Sequence, residues 1–109
     1  MRALRQPKPS LTSLDGRQVR HLRALAHHLE PIVQVGKEGI SDAVVRAALE
    51  AIRDHELVKV RLPQVDKAER TAMSAELVRA TSALLVAEIG RIVVLYRPHP
   101  EKPKIQLPR

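Results

Sequence analysis

The fold of this chain is decided by the stretch Ile32-Val33-Gln34-Val35-Gly36-Lys37-Glu38-Gly39-Ile40-Ser41-Asp42. Its first four residues are apolar and β-branched except for one glutamine, which predicts a strand. Ser41 is expected to be the N-cap of an amphipathic helix, because its hydroxyl can accept a hydrogen bond from the first turn. The two glycines in between carry no Cβ and allow the backbone to turn tightly. The stretch therefore predicts a strand, a GxxG loop and a helix.

The GxxG loop also has the chemistry of a phosphate site. The amides of the first helical turn carry a positive partial charge, and Lys37 adds a full one. Glycines let a ligand approach the backbone closely, so the combination suits a phosphate of a nucleic acid. An ordinary strand-to-helix turn uses the same residues, and the motif alone leaves both interpretations open.

The spacing of apolar residues predicts the other elements. Helices are expected at about residues 12–29, 42–54 and 66–82. Strands are expected at 32–35, 57–62, 84–89 and 92–97. Thr12 or Ser13 is expected to cap the first helix. Asp42 and Arg46 have the i,i+4 spacing of an ion pair on the second helix.

The order of these elements predicts an α+β fold, an α/β two-layer arrangement in which helices back a four-stranded mixed sheet. Helix-length crossovers favour parallel pairing for the first three strands. Gly90-Arg91 places a glycine first in a two-residue turn, which favours an antiparallel hairpin for the last two. Along the chain we expect a flexible basic arm at 1–10, the folded domain at 11–97 and a basic, proline-containing tail at 98–109.

The positive charge is concentrated in two parts of the chain. The net charge is +7. Residues 1–31 carry +4 and residues 97–109 carry +3, whereas residues 32–96 are neutral. Charge concentrated in this way is typical of a polyanion binder, which gains affinity from phosphate contacts and counterion release. Acidic lipid is a rival partner, but the basic segments lack the apolar face of an interfacial helix.

Composition argues against several kinds of site. The chain has no cysteine, so neither a disulfide nor a thiolate metal ligand is available. The histidines lack carboxylates at ligand spacing, and no serine lies in a nucleophile elbow, so no metal, cofactor or catalytic activity is expected. Tyr96 is the only aromatic residue. Stacking platforms of the RRM and OB type are therefore absent, which favours structured RNA over unpaired bases.

Four stretches together resemble a known family. They are LRALAH at 22–27 with Pro31 beyond it, VGKEGIS at 35–41, HELVKV at 55–60 and GRIVVLYRP at 90–98. From Leu11 to Arg97 the chain resembles the CRM domain (chloroplast RNA splicing and ribosome maturation), in the short bacterial single-domain form of the YhbY-like proteins. The stretches occur in the order and at the spacing of that family.

The resemblance implies a fold similar to the C-terminal domain of bacterial translation initiation factor three. It implies RNA binding through the GxxG loop and its basic surroundings. A KH domain is disfavoured, because its GxxG loop joins two helices. The negative charge of Glu38 opposes a phosphate contact. The candidate RNA-binding residues are Gly36, Lys37, Glu38, Gly39, Arg17, Arg20, Arg23, Lys59, Arg61, Arg91 and Arg97.

The sequence therefore predicts a non-catalytic, RNA-binding protein. The resemblance implies association with the ribosomal RNA of large-subunit precursors and a role in ribosome maturation. A general RNA chaperone, a splicing-type RNA cofactor and a protein-docking module on a ribosomal protein are the alternatives. The N-terminus has no apolar signal region and no apolar run reaches bilayer length, so a cytoplasmic monomer without a membrane partner is expected.

Overall fold

Seven elements of the computed structural model, which describes residues 13–108, form one sheet with helices on both of its faces. They are α1 Gly16–Ala26, β1 Pro31–Gln34, α2 Asp42–His55, β2 Leu57–Arg61, α3 Lys67–Thr81, β3 Leu84–Ile89 and β4 Ile92–Tyr96. Every expected element except α1 agrees with these bounds to within one residue at each end. The basic arm expected at 1–10 lies outside the described residues.

The sheet is mixed and has the strand order β1-β2-β4-β3. β1 pairs with β2 in parallel, and β4 is antiparallel to both β2 and β3. The expected parallel pairing is confirmed for β1 and β2, and the expected hairpin for β3 and β4. The parallel pairing expected between β2 and β3 is wrong, because β4 lies between these two strands. Four of the five residues of β4 are buried, whereas only one of the six residues of β3 is buried, in agreement with β4 inside the sheet and β3 at its edge.

The hydrophobic core is divided by the sheet. On the first face, covered by α2 and α3, a cluster contains Val60, Leu77 and Leu95. On the second face, covered by α1, a cluster contains Leu22 and Tyr96. The α+β class and the four-stranded mixed sheet are confirmed. The two-layer part of the expectation is corrected to three layers, because β4 is apolar on both faces and each face needs a cover.

The N-caps of α1 and α2 show where the sequence alone was sufficient to predict the start of a helix. Ser41 caps α2 as expected, and its Oγ accepts a hydrogen bond from Val44 N at 3.2 Å. The expectation that Thr12 or Ser13 caps α1 is wrong. Asp15 forms a capping box with Gln18, in which each side chain accepts from the backbone N–H of the other. This reciprocal bonding satisfies two amides at once and fixes the start of α1 at Gly16.

The ion pair expected on α2 does not form. Within residues 13–108 the single ion pair joins Arg53 Nε and Asp54 Oδ1 at 3.7 Å, and both side chains are more than half exposed. Asp42 lies in the first turn of α2, where the helix dipole favours a negative charge without any partner. Arg46 is exposed on the surface of the helix and has no ion pair with another residue of 13–108.

Glu56 holds the C-terminal segment, residues 98–108, against the domain. Its buried carboxylate accepts backbone hydrogen bonds from His99 at 2.7 Å and from Lys104 and Ile105 at 2.9 Å each. The side chains of Ile105 and Leu107 pack into the core on the second face. The segment contains no helix or strand, so this carboxylate supplies the fixed acceptor that a strand partner would otherwise provide.

Candidate nucleic-acid interface

The GxxG loop is a tight turn whose tip is exposed. Gly39 N donates to Gly36 O at 3.0 Å, which leaves Lys37 and Glu38 exposed at the tip. Gly39 has φ +85°, a left-handed conformation that favours glycine. Among the described glycines only Gly39 and Gly90 have positive φ, so the turn requires a glycine at the second loop position and not at the first.

Glu38 folds back over Gly36. A Cβ built at Gly36 would lie 2.9 Å from Glu38 Oε1, so the carboxylate covers the side of the loop that the missing side chain leaves open. The negative charge therefore lies beside Gly36. Asp42 adds a second acid in the first turn of α2, and both acids reduce the attraction of the loop for a phosphate.

The fold brings Arg61 and Arg91 to the loop. Val35 N, just before the loop, donates to Arg61 O at 2.8 Å. Arg91 lies in the β3–β4 turn, where its Nε donates to Leu62 O at 3.1 Å and its carbonyl accepts from Leu62 N. The loop, Arg61 and Arg91 therefore lie at one end of the sheet, which we call the loop end. The exposed Lys37, Arg61 and Arg91 give it three cations.

Lys59 and the arginines of α1 lie on the second face. Side chains alternate along a strand, so Lys59 and Arg61 project on the side of β2 that carries Leu57, which packs in the cluster under α1. Lys59 is half-buried there. Arg17, Arg20 and Arg23 are exposed on α1, which contains no acidic residue.

Arg97 lies at the opposite end of the sheet from the loop. It follows β4, the five residues of which span about 17 Å at 3.4 Å per residue. Its Nη1 donates to Thr81 O at 3.0 Å and its backbone N donates to Glu56 O. The structure therefore separates Arg97 from the loop end. Arg46 and Arg53, which the sequence analysis did not select, line the same groove as Arg97.

Tyr96 is 1% exposed and belongs to the core, as expected for a residue that does not stack on bases. Burial raises the pKa of its hydroxyl, and the nearby negative charge of Glu56 raises it further. Residues 13–108 contain no group of three or more His, Cys, Asp or Glu side chains that could hold a metal ion. In the same residues no helix has the length and hydropathy to cross a membrane.

The model of the CRS1 / YhbY (CRM) domain matches residues 14–97. The chain belongs to this family. The match covers α1, the GxxG loop and all four strands of the sheet. The family resemblance expected from the sequence is therefore confirmed.

Relatives of this CRM domain are named for RNA binding. A Haemophilus influenzae protein named "RNA-binding protein" is 41% identical over 99 residues, which cover 91% of this chain and 99% of that protein. The Bacillus subtilis "Probable RNA-binding protein YqeI" is 40% identical over 95 residues, 87% of this chain and 99% of that protein. These names state RNA binding and no catalytic activity.

A solved structure has the same fold. It is the solution structure of a Staphylococcus aureus protein described as a candidate RNA-binding protein. The two chains superpose with a TM-score of 0.77 at 37% identity, over 87% of this chain and 99% of the other. The three helices and the mixed four-stranded sheet are thus those of a CRM fold.

Proposed function

We propose that this CRM domain binds structured RNA through the phosphate backbone and does not catalyse a reaction. The observation that carries the proposal is the loop end, where hydrogen bonds of the backbone and of the Arg91 side chain hold the Gly36–Gly39 turn, Arg61 and Arg91 together. Arginine and lysine at a glycine turn present cations and accessible backbone to a phosphate. The RNA-binding names of the relatives support the same function.

The charge around the loop decides how far this RNA contact extends. Glu38 and Asp42 offset part of the three positive charges at the loop end. Lys59 and the α1 arginines add positive charge on the second face, where α1 brings no acid. An RNA that contacts most of these positive charges would bind at the loop and continue over the second face. Such contacts read the shape and charge of folded RNA and require no unstacked base.

Removing the loop cation tests the site. We expect Lys37→Ala to weaken binding of an RNA hairpin and to reduce the slope of log K against log salt by about one unit. Fluorescence anisotropy at several salt concentrations measures both quantities. Arg79→Ala is the matched control, because Arg79 is an exposed cation in the last turn of α3, far from the loop. Equal salt slopes for the wild-type chain and Lys37→Ala would refute the loop assignment.

The cellular RNA that we propose is the ribosomal RNA of large-subunit precursors, bound in the cytoplasm during maturation. Sedimentation of the tagged chain in a cell lysate tests this proposal. We expect salt-sensitive co-migration with the large subunit or its precursor and not with finished ribosomes. A chain that remains at the top of the gradient at every salt concentration would contradict the maturation role.

Two alternatives make different predictions in the same experiments. A general RNA chaperone or splicing-type cofactor would bind unrelated structured RNA as tightly as ribosomal RNA. A module that docks on a ribosomal protein would co-sediment with a weak dependence on salt, because few phosphate contacts would be broken. The concentration of cations at the loop end and on α1 favours RNA over a protein partner.

A further inference from the structure

A second basic groove lies away from the loop end, between α2 and the start of the C-terminal segment. Its volume is about 460 Å³. Leu49 and Ile52 contribute apolar surface, and Pro98, His99 and Pro100 also line the groove. The charged groups of the lining are Arg46, Arg53, Arg97 and Glu50. Three cations and one acid leave the groove positive.

The positions of the arginines follow from the fold. Arg46 and Arg53 are seven residues apart on α2, and residues at that spacing lie on one face of a helix. Arg97 is held in place by its hydrogen bond to Thr81 O and by the backbone bond to Glu56. Arg97 reaches the groove from the end of β4, so two distant parts of the sequence supply its charge.

His99 also lines the groove. Its Nδ1 accepts from Glu101 N at 3.1 Å and from Lys102 N at 3.0 Å, so this nitrogen carries no proton. The ring is further fixed because His99 N donates to Glu56 Oε2. The groove is thus lined by three arginines and by a histidine whose ring is held by the backbone of the C-terminal segment.

Among residues 13–108, few ion-pair partners compensate the positive charges of the groove. Arg46 has no ion pair among the described residues, and Arg53 has only the exposed, 3.7 Å contact with Asp54. Exposed pairs of this kind contribute little and leave the cation available to another anion. Leu49 is 38% exposed between these arginines. Apolar surface bordered by guanidinium groups fits a sugar–phosphate chain, which has both apolar and anionic parts.

We propose that this groove is a second RNA-backbone site, which extends the footprint from the loop end along α2. The inference rests on the proposed RNA binding. The 14 residues of α2 span about 21 Å, with the GxxG loop at their start and Arg53 in the last turn. Arg46 lies about 6 Å and Arg53 about 17 Å along the helix axis from Asp42, so an RNA that contacts both the loop and Arg53 must approach the length of α2. A shorter RNA bound at the loop can reach Arg46 but not Arg53.

The experiment compares two fluorescent RNA hairpins, one with a stem shorter than α2 and one with a stem twice its length. The variant is R46Q/R53Q, because glutamine preserves helix propensity at exposed positions. R79Q is the control, since it removes a cation outside the groove lining. Thermal unfolding verifies that each variant is folded.

We expect R46Q/R53Q to reduce the salt slope for the long hairpin by about 1.8, as two lost phosphate contacts predict. If the plots of log K against log salt for the wild-type chain and R46Q/R53Q meet at 1 M salt, this difference in slope corresponds to about 60-fold weaker binding by the variant at 0.1 M salt. The short hairpin, bound at the loop end, is expected to lose less affinity than the long hairpin in R46Q/R53Q, because it cannot reach Arg53, and to lose more in Lys37→Ala.

The other outcomes overturn the inference in distinguishable ways. If R46Q/R53Q binds the long hairpin as tightly as R79Q, the groove does not bind RNA, and the proposed function stands. If the wild-type chain binds neither hairpin at low salt, the proposed function fails with it. If R46Q/R53Q keeps RNA affinity and loses binding of a labelled polyglutamate peptide, the groove takes an acidic protein segment instead.

Discussion

Glu56 is the residue whose substitution tests the packing of the C-terminal segment most directly. Its side chain is 1% exposed, and its two carboxylate oxygens accept three backbone N–H groups. Oε1 accepts from Lys104 and Ile105, and Oε2 accepts from His99. Hydrogen bonds to a charged group contribute about 1.5–3 kcal/mol each, so this carboxylate is among the strongest local anchors of the fold.

The change Glu56→Gln keeps the shape of the side chain and removes one acceptor. The amide oxygen can replace Oε1, but the NH2 group then faces His99 N–H, and two donors cannot bond. One charged hydrogen bond is lost and a part-buried N–H is left unpaired, while the two remaining bonds become weaker. We expect the free energy of unfolding to fall by about 3 kcal/mol.

Urea unfolding followed by circular dichroism measures this loss, which corresponds to a decrease in Tm of roughly 12–24 °C for a domain of this size. Hydrogen exchange should show faster exchange at His99, Lys104 and Ile105. Glu76→Gln is the control, because Glu76 is exposed on α3 and its change should stay within about 0.5 kcal/mol. An unchanged urea midpoint with the three amides still protected would refute the anchoring role of Glu56.

Three other predictions follow from particular backbone and side-chain environments. Burial and the charge of Glu56 raise the pKa of Tyr96, so the unfolded chain releases this proton at lower pH than the folded chain. The contribution of Tyr96 to the free energy of unfolding should be complete below pH ~10 and should decrease as the pH rises above that value. Ultraviolet titration follows the ionisation of Tyr96 alone, because it is the only aromatic residue. A Tyr96→Phe variant that loses the same stability at alkaline pH would contradict this prediction. Ser82 ends α3 with φ +59°, so Ser82→Gly should raise the free energy of unfolding by about 0.5–1 kcal/mol, and a lower value in urea unfolding would count against the strain. Gly39→Ala should lower the free energy of unfolding by about 1–2 kcal/mol, because the φ of Gly39 is +85°. Gly36→Ala should lower it less, because a Cβ at Gly36 would meet only the end of the Glu38 side chain. Equal losses in urea unfolding would contradict this difference.

Local signals in the sequence determined most of the elements. Alternation and helical spacing placed all four strands and α2 and α3 to within one residue, because these patterns arise from residues a few positions apart. The Ser41 cap is local in the same sense. The start of α1 was misplaced because several residues near it can act as a cap, and only the formed helix selects Asp15.

The candidate site was determined only in part by the sequence. The loop itself was evident from Gly36 and Gly39. The positions of Arg61 and Arg91 beside it depend on strand pairing, and the separation of Arg97 depends on the direction of β4. Residues that are far apart in sequence carry no local mark of their proximity, so charge counting could not divide the basic residues into a loop end and a distant groove.

The sequence by itself determined the elements, the GxxG loop and the family, since each is written in contiguous motifs. Tertiary structure alone decided that β4 separates β2 from β3, that α1 covers the second face, and that Glu56 binds the C-terminal segment. These features minimise exposed apolar surface and unpaired backbone groups over the whole domain. That balance depends on every element at once, and no single stretch of the chain contains it.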